Sequence, residues 1–125
     1  MIMPIYNFKH QFADLVLQGT KRQTVRARGK RPAPVPGQIA HCYTGLRTQS
    51  VRILGKYPIV SVASISISIT SRTVRVDGQR GAFHDLTSDE IEQLARDDGF
   101  ASADDFFDFF RSQHGATFSG YLIKW

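Results

Sequence analysis

Apolar residues near the N-terminus recur at helical spacing. One face would carry Phe8, Phe12, Leu15 and Val16. This spacing predicts an amphipathic helix, with Asn7 as its N-cap and Gly19 as the glycine that ends it. Met1–Tyr6 would form a short strand before this helix.

The middle of the chain is rich in β-branched residues and predicts strands. Thr20–Arg28 has the composition of a turn that runs into a strand, and a loop stiffened by three prolines follows over Gly29–Gly37. Further strands are predicted over Ile39–Tyr43, Ser50–Leu54, Ile59–Ile69 and Thr73–Val76, with a turn at Asp77–Gly78. At the end of the third of these strands isoleucines alternate with serines, so one face should be buried and the other exposed.

The last third predicts two helices and a closing strand. Thr87–Glu90 forms a capping box, which opens a helix that ends near Gly99. Ser102–Asp105 begins a second helix, which ends at Gly115. The closing strand carries Phe118, Tyr121, Ile123 and Trp125, and Gly120 inside it marks a candidate bulge.

This order of elements predicts an α+β fold. One helix comes first, many short strands follow, and a helical pair precedes the closing strand. We expect a compact, partly closed β-barrel flanked by the N-terminal helix and the later helical pair. At 125 residues, the chain has the length of a single domain spanning 1–125.

Composition indicates a cytoplasmic protein outside the membrane. The longest apolar runs fall well short of the roughly 18 residues that a membrane helix needs. Met1–Phe8 lacks the basic and apolar regions of a signal peptide. The single cysteine, Cys42, cannot form an intrachain disulfide, which suits a reducing compartment.

Charge is distributed unevenly along the chain. Residues 1–56 contain ten lysines and arginines against one acid, Asp14, whereas residues 57–125 contain six against ten acids. A basic half attracts polyanions, and phosphate contacts dominate the affinity of proteins for nucleic acids. RNA or a nucleotide is therefore the expected partner, and a merely solvated basic surface is the alternative.

Gly19–Arg26 follows the pattern G-x-K-x-x-T-x-R, in which Lys, Thr and Arg come after a glycine that ends a helix. This run resembles the signature of the ASCH domain family of the PUA-like superfamily. The segments Gly37–Thr48 and Leu94–Phe100 are similar to ASCH proteins of phages and bacteria, and they come in the same order. The resemblance spans Phe8–Trp125 and implies a PUA-like barrel whose cleft lies beside the first helix.

The resemblance also implies an activity. Small bacterial ASCH members remove acetyl from N(4)-acetylcytidine with a Lys, a Thr and a Glu and without a cofactor. By motif, these residues correspond to Lys21, Thr24 and Asp98, whose carboxylate is one methylene shorter than that of Glu. Other members bind or cleave RNA. Three hypotheses are therefore open: an amidohydrolase, a module that binds RNA or a modified nucleoside, and a ribonuclease that uses Lys21 and Asp98 as acid and base.

Amide hydrolysis gives each of these residues a role. Thr24 would be the nucleophile, Lys21 a base with a pKa below the usual value of about 10.4, and Asp98 the group that orients or deprotonates water. On a regular strand Lys21 and Thr24 would point to opposite sides. The site therefore requires Lys21 to lie in the turn after Gly19, before the strand begins.

The candidate substrate-binding residues are Arg22, Arg26, Arg28, Tyr43 and Arg47. Arg26 and Arg28 share a face with Thr24 if the strand is regular, and guanidinium groups suit phosphate. Tyr43 and Arg47 are candidates to stack on or hold a base. The second late helix carries Phe106, Phe107, Phe109 and Phe110, which are expected to pack in the core rather than against a base.

Neither a metal nor a cofactor is expected. His10, His41, His84 and His114 are scattered along the chain, and His41 directly precedes Cys42, which is not a ligand spacing. The sequence also lacks a Walker loop and the G-x-G-x-x-G and G-x-S-x-G motifs.

Overall fold

The computed structural model describes residues 4–77 and 83–125. The described elements are β1 (Ile5–Phe8), α1 (His10–Leu17), β2 (Gln23–Ala27), β3 (Ile39–Thr44), β4 (Arg52–Pro58), β5 (Ser61–Ser68), β6 (Thr73–Asp77), β7 (Phe83–Asp85), α2 (Ser88–Asp97), α3 (Ala103–His114) and β8 (Thr117–Lys124). Two predicted features, Met1–Met3 of the first strand and Gly78 of the turn, lie outside the described residues.

These strands form two sheets. One has the order β1-β3-β4 and the other the order β2-β8-β5-β6-β7. β1 pairs parallel with β3, whereas the other described pairs are antiparallel. The predicted α+β class, with an early helix and a late helical pair, is confirmed. Within residues 4–77 and 83–125 the strands form two sheets and no closed barrel.

The alternating segment of β5 has the predicted buried face. Ile65 and Ile67 are buried, whereas Ser66 between them is exposed. β5 pairs with β8 along its whole length, from Ser61↔Lys124 to Ser68↔Thr117. Because side chains alternate across a strand, this register places the isoleucines on the apolar side of the sheet.

The buried apolar side chains form one cluster that includes residues of both sheets and all three helices. Val16 of α1, Ala95 of α2 and Phe106 of α3 are fully buried in it. Burial of apolar surface on this scale supplies the main stabilisation of the fold.

Both late helices begin as predicted. At α2, the backbone N–H of Thr87 donates to Oε1 of Glu90 at 2.9 Å, and the N–H of Glu90 donates to Oγ1 of Thr87 at 3.2 Å. This reciprocal pair is a capping box. At α3, Ser102 accepts from the N–H of Asp105, and the helix ends at Gly115, which has φ +85°.

The predicted start of α1 is wrong. Its N-cap is Lys9, which makes no side-chain capping bond, and Asn7 and Phe8 belong to β1. Parallel pairing of Asn7 with Tyr43 and of Phe8 with Thr44 extends the strand past the predicted cap. The side chain of Asn7 instead accepts a hydrogen bond from the N–H of Leu46 at 2.9 Å.

The predicted boundary between two strands is also wrong. β4 continues to Pro58, past its predicted end at Leu54, and β5 runs from Ser61 to Ser68, inside the predicted segment Ile59–Ile69. Ile59 instead exchanges backbone hydrogen bonds with the loop before β3, donating to Gln38 and accepting from Gly37. These non-local bonds break the run of β-branched residues at a point that local propensity does not mark.

Gly120 does not form a bulge. It pairs in register with Ala27 on one side and Ile65 on the other, and the irregular pairing lies between Cys42 and Tyr43. A Cβ at Gly120 would overlap the backbone carbonyl of Arg26. The glycine therefore permits close approach of β2 and β8.

No helix in the described part of the chain is long and apolar enough to cross a membrane.

We expect Gly120→Ala to destabilise the protein by about 1–3 kcal/mol, because the new methyl group meets backbone that cannot rotate away. Urea unfolding followed by circular dichroism measures the change. Gly29→Ala is the control, since a Cβ there meets nothing within 4 Å and φ is not left-handed. Equal stability of both variants and the parent would contradict the close approach at Gly120.

Candidate active site

A cavity of about 310 Å³ opens beside the start of α1, strand β2 and the C-terminal part of α3. We call it the Lys21 cavity. Its polar lining includes Lys21, Thr24, Arg26 and Asp98. Its aromatic lining comprises Phe8, Phe12, Phe100, Phe109 and Phe110. The structure thus brings together the three predicted catalytic residues, although Asp98 lies far from the other two in sequence.

The turn after α1 places Lys21 in the cavity. Gly19 has φ +80°, and the backbone N–H groups of both Thr20 and Lys21 donate to the carbonyl of Leu15 at 2.9 Å. These bonds end the helix. β2 begins only at Gln23, so Lys21 lies in the turn and lines the same cavity as Thr24. The geometric condition derived from the sequence is met.

Lys21 and Asp98 form a buried pair. Lys21 is 3% exposed and Asp98 is 4% exposed. Nζ of Lys21 lies 3.0 Å from Oδ1 of Asp98 and donates to the Asp98 backbone carbonyl at 2.5 Å. Gln23 adds a bond from Nε2 to the same Oδ1 at 3.3 Å. The shorter aspartate carboxylate therefore reaches the lysine.

The corner between α2 and α3 presents this carboxylate. Asp98 is the C-cap of α2, and Gly99 follows with φ +98°, a conformation that favours glycine. A Cβ at Gly99 would lie 3.0 Å from the ring of Phe12 and 3.2 Å from Cδ of Lys21. Gly99 therefore allows the backbone to turn between α2 and α3 and leaves room for the side chain of Lys21.

Burial shifts both titratable groups of the pair toward their neutral forms. It lowers the pKa of Lys21, and the charge and hydrogen bond of Asp98 partly oppose this shift. Burial likewise raises the pKa of Asp98, against the effects of Lys21 and Gln23. Desolvation disfavours the charged form of each group. A neutral lysine amine has a lone pair and can accept a proton, as a general base requires.

Arg26 holds the Thr24 hydroxyl. Its Nε donates to Oγ1 of Thr24 at 2.9 Å, and a terminal nitrogen donates to the carbonyl of Asn7 at 3.1 Å. The guanidinium lies 5.2 Å from the ring centre of Tyr6 and 4.9 Å from that of Phe8. Within the described residues no hydrogen bond joins Thr24 to Lys21. The hydroxyl proton is therefore directed away from Arg26, and its transfer to Lys21 requires a direct approach or one intervening water.

Cys42 is a core residue. It is fully buried, and burial raises the pKa of its thiol to about 11. Cys42 is also absent from the lining of the Lys21 cavity, which leaves the Thr24 hydroxyl as the candidate nucleophile there.

Four of the five predicted substrate-binding residues lie outside the lining of the Lys21 cavity, and Arg26 alone among them lines it. Arg22 is exposed beside Asp97 and Lys124, in a different depression. Arg28 is also exposed and stacks on the ring of Tyr121 at 4.7 Å. The structure therefore does not gather these candidate residues around one cavity.

The other two of these residues belong to the first sheet. Tyr43 is half-buried on β3, where it pairs with Ile53 of β4. Arg47 is exposed, with φ +67°, in the turn after β3. The hairpin between β3 and β4 positions both residues, which explains their separation from the Lys21 cavity.

Three residues of the site were missed in the sequence. Gln23 is buried against Asp98, and its only signal is a polar side chain at the start of a strand, two positions after Lys21. Gln113 and His114 are exposed residues that line the cavity from the last turn of α3. Their contribution follows from tertiary packing, which spacing along the chain does not reveal.

The phenylalanines of α3 divide between two environments. Phe106 and Phe107 are buried in the core, as expected. Phe109 is half-buried and Phe110 is buried, yet both line the Lys21 cavity. All four pack in or against the core, as expected, and Phe109 and Phe110 also form part of the cavity lining.

Among residues 4–77 and 83–125, no group of three or more His, Cys, Asp or Glu side chains is placed to hold a metal ion. Comparison of the chain with protein family models, curated proteins and solved structures finds no significant match. The description of the site therefore depends on its geometry.

We expect Lys21→Met to destabilise the protein by about 3–5 kcal/mol at neutral pH, because it leaves Asp98 buried without its partner. Without Lys21, the folded-state pKa of Asp98 rises further above its unfolded value of about 3.9. The folded state then binds the proton more tightly than the unfolded state, so stability is lost as pH rises through the folded pKa. Urea unfolding at acidic and neutral pH measures both effects.

The double variant Lys21→Met/Asp98→Leu is the control. It removes both ionisable groups, and we expect it to be at least as stable as the parent, with little of this pH dependence. A double variant as unstable as the single one would show that lost packing, rather than an unpaired carboxyl, causes the destabilisation.

Proposed function

We propose that the Lys21 cavity is the active site of a cofactor-free amidohydrolase of the ASCH family, with a PUA-like fold. Its substrate class is N-acylated pyrimidine nucleosides such as N(4)-acetylcytidine. The observation that carries the proposal is the buried Lys21–Asp98 pair in a cavity that also contains the Thr24 hydroxyl. The resemblance of Gly19–Arg26 to the family signature supports it.

The size and lining of the cavity suit a single base. Its volume of about 310 Å³ lies near the lower end of small-molecule sites. Five phenylalanines supply flat apolar surface, on which unpaired bases stack. Asn7, Gln113 and His114 add polar groups to the lining, which suit the hydrogen-bonding edge of a base.

Acyl transfer to the protein is the first step of the mechanism. Neutral Lys21 accepts the hydroxyl proton of Thr24, directly or through one water, as Oγ1 attacks the acyl carbonyl. Arg26 lies beside Oγ1 and supplies positive charge near the oxygen anion that develops. Collapse of the tetrahedral intermediate breaks the C–N bond, and Lys21 returns the proton to the leaving amine.

Hydrolysis of the acylated Thr24 completes the reaction. Water attacks the ester and gives a proton to Lys21, which shares a hydrogen bond with Asp98. The ester C–O bond then breaks, Lys21 returns the proton to Oγ1 of Thr24, and the carboxylic acid leaves. In this mechanism Asp98 acts through Lys21, and Gln23 helps to orient its carboxyl group.

A second candidate is a module that binds RNA or a modified base without turnover. The observation that favours it is that Thr24 and Lys21, the reactive groups, already form hydrogen bonds with other residues of the protein. Oγ1 of Thr24 accepts a hydrogen bond from Arg26, and Nζ of Lys21 donates to Asp98. Binding of polymeric RNA would weaken steeply with salt, whereas turnover of a neutral nucleoside would change little.

We expect the parent protein to release cytidine from N(4)-acetylcytidine, and Lys21→Met and Thr24→Val to lower kcat/KM by at least about 100-fold. Chromatography of the products measures the rates. Lys56→Met and Thr117→Val are matched controls, since both positions are exposed and lie outside the Lys21 cavity. Absence of release by the parent at high protein concentration would reject this substrate and favour the binding module.

We expect kcat/KM to rise with pH through a midpoint below about 10.4, the ordinary pKa of lysine. Burial lowers the pKa of Lys21, and only its neutral form is a base. Initial rates across the neutral and alkaline range measure the midpoint, which belongs to the coupled Lys21–Asp98 pair. A rate independent of pH in this range would argue against Lys21 as the base.

A further inference from the structure

A second cavity, of about 240 Å³, lies on the other side of Arg26. We call it the proline-loop cavity, because residues of the loop between β2 and β3 form one wall. The residues that carry its chemistry are Tyr6, Arg26, Lys30, Arg31 and Tyr121. Pro32 and Pro34 also line it, and their fixed φ angles limit the conformations of the loop.

Arg26 separates the two cavities. Its side chain lines both, as does Ala27, the next residue of β2. The guanidinium packs over the ring of Phe8, which lines the Lys21 cavity, and over the ring of Tyr6, which lines the proline-loop cavity. The two spaces are therefore neighbours along one strand and share one side chain as their boundary.

Charge distinguishes the proline-loop cavity. Its described lining contains three cationic side chains and no carboxylate. Lys30 and Arg31 are exposed, and neither has an ion-pair partner among residues 4–77 and 83–125. In the Lys21 cavity, by contrast, Asp98 accompanies the lysine. An excess of cations at a concave surface attracts an anion.

We propose that the proline-loop cavity binds a phosphate group of the same ligand whose base occupies the Lys21 cavity. This inference depends on the proposed function for the identity of the base. The N–H groups of Arg26 that do not bond Thr24 or Asn7 are the donors for the phosphate, and Lys30 and Arg31 complete the charge. The full ligand then carries a phosphate next to the nucleoside that the Lys21 cavity recognises, as a nucleotide or single-stranded RNA does.

The test compares two double variants that remove equal charge. Lys30→Ser/Arg31→Ser removes the cations of the loop. Lys56→Ser/Arg111→Ser removes one lysine and one arginine that are exposed, lie outside both cavities and lack an ion-pair partner in the described chain. The probes are a fluorescein-labelled single-stranded oligocytidine RNA and cytidine 5′-monophosphate, titrated at several salt concentrations.

We expect the loop variant to bind the oligonucleotide about tenfold more weakly. The magnitude of the slope of log K against log salt should fall by about 0.7, the value for one phosphate contact on a single strand. The control variant should change neither quantity by a comparable amount. A loop variant that binds like the parent, or a control that loses as much, would overturn the proposal.

The two probes distinguish the source of the phosphate. Weaker binding of both would place the nucleotide's own phosphate in the proline-loop cavity, whereas weaker binding of the RNA alone would place the adjoining phosphodiester there. Hydrolysis of N(4)-acetylcytidine by the parent tests the proposed function separately, because that nucleoside carries no phosphate. A parent without turnover whose loop variant loses RNA affinity would reject the amidohydrolase and retain the phosphate site.

Discussion

The contact between Lys21 and Asp98 is the constraint on which the rest of the site depends. Removal of two ionisable groups from water costs several kcal/mol per charge, and attraction between them offsets this cost only with good geometry and further hydrogen bonds. The structure supplies both, through the 3.0 Å contact, the Asp98 carbonyl and the amide of Gln23. Two glycines serve the same contact, because Gly19 ends the helix before Lys21 and Gly99 leaves room beside its side chain. A buried pair of this kind contributes little to stability, and its position in the lining of a cavity fits a chemical role.

Arg26 lies near the Lys21–Asp98 pair and lines the same cavity. It is a cation without a carboxylate partner among the described ion pairs, and it is held instead by hydroxyl and carbonyl oxygens and by two aromatic rings. Its charge lowers the pKa of both Lys21 and Asp98, although burial is the larger influence on each. One side chain thus orients the hydroxyl, tunes the pair and forms the boundary between two cavities.

Local sequence signals correctly predicted those parts of the site whose positions are determined by residues close to them in sequence. Gly19 was correctly predicted to end α1, and the capping box correctly located the start of α2. Sequence reasoning failed where distant pairing decides the outcome. Asn7 is a residue type that often caps helices, yet it belongs to strand β1 because it pairs with Tyr43 of β3. Phe109 packs against the core, as its spacing predicts, but its part in the cavity lining depends on the contact of α3 with α1, which the spacing does not reveal.

The pairing of β2 with β8 has a consequence for the order in which the protein acquires its site. Gln23 pairs with Lys124, and Trp125 donates a backbone hydrogen bond to Arg22, so the strand that carries Thr24 and Arg26 is completed by the last described residues. Contacts between positions so far apart in sequence form slowly, because the entropy cost of closing a long loop comes before any stabilising contact is made. During synthesis on the ribosome, the basic N-terminal half emerges long before its partner strand. The nascent chain therefore displays its cations before the Lys21 cavity is complete, because that cavity requires the final pairing of β2 with β8.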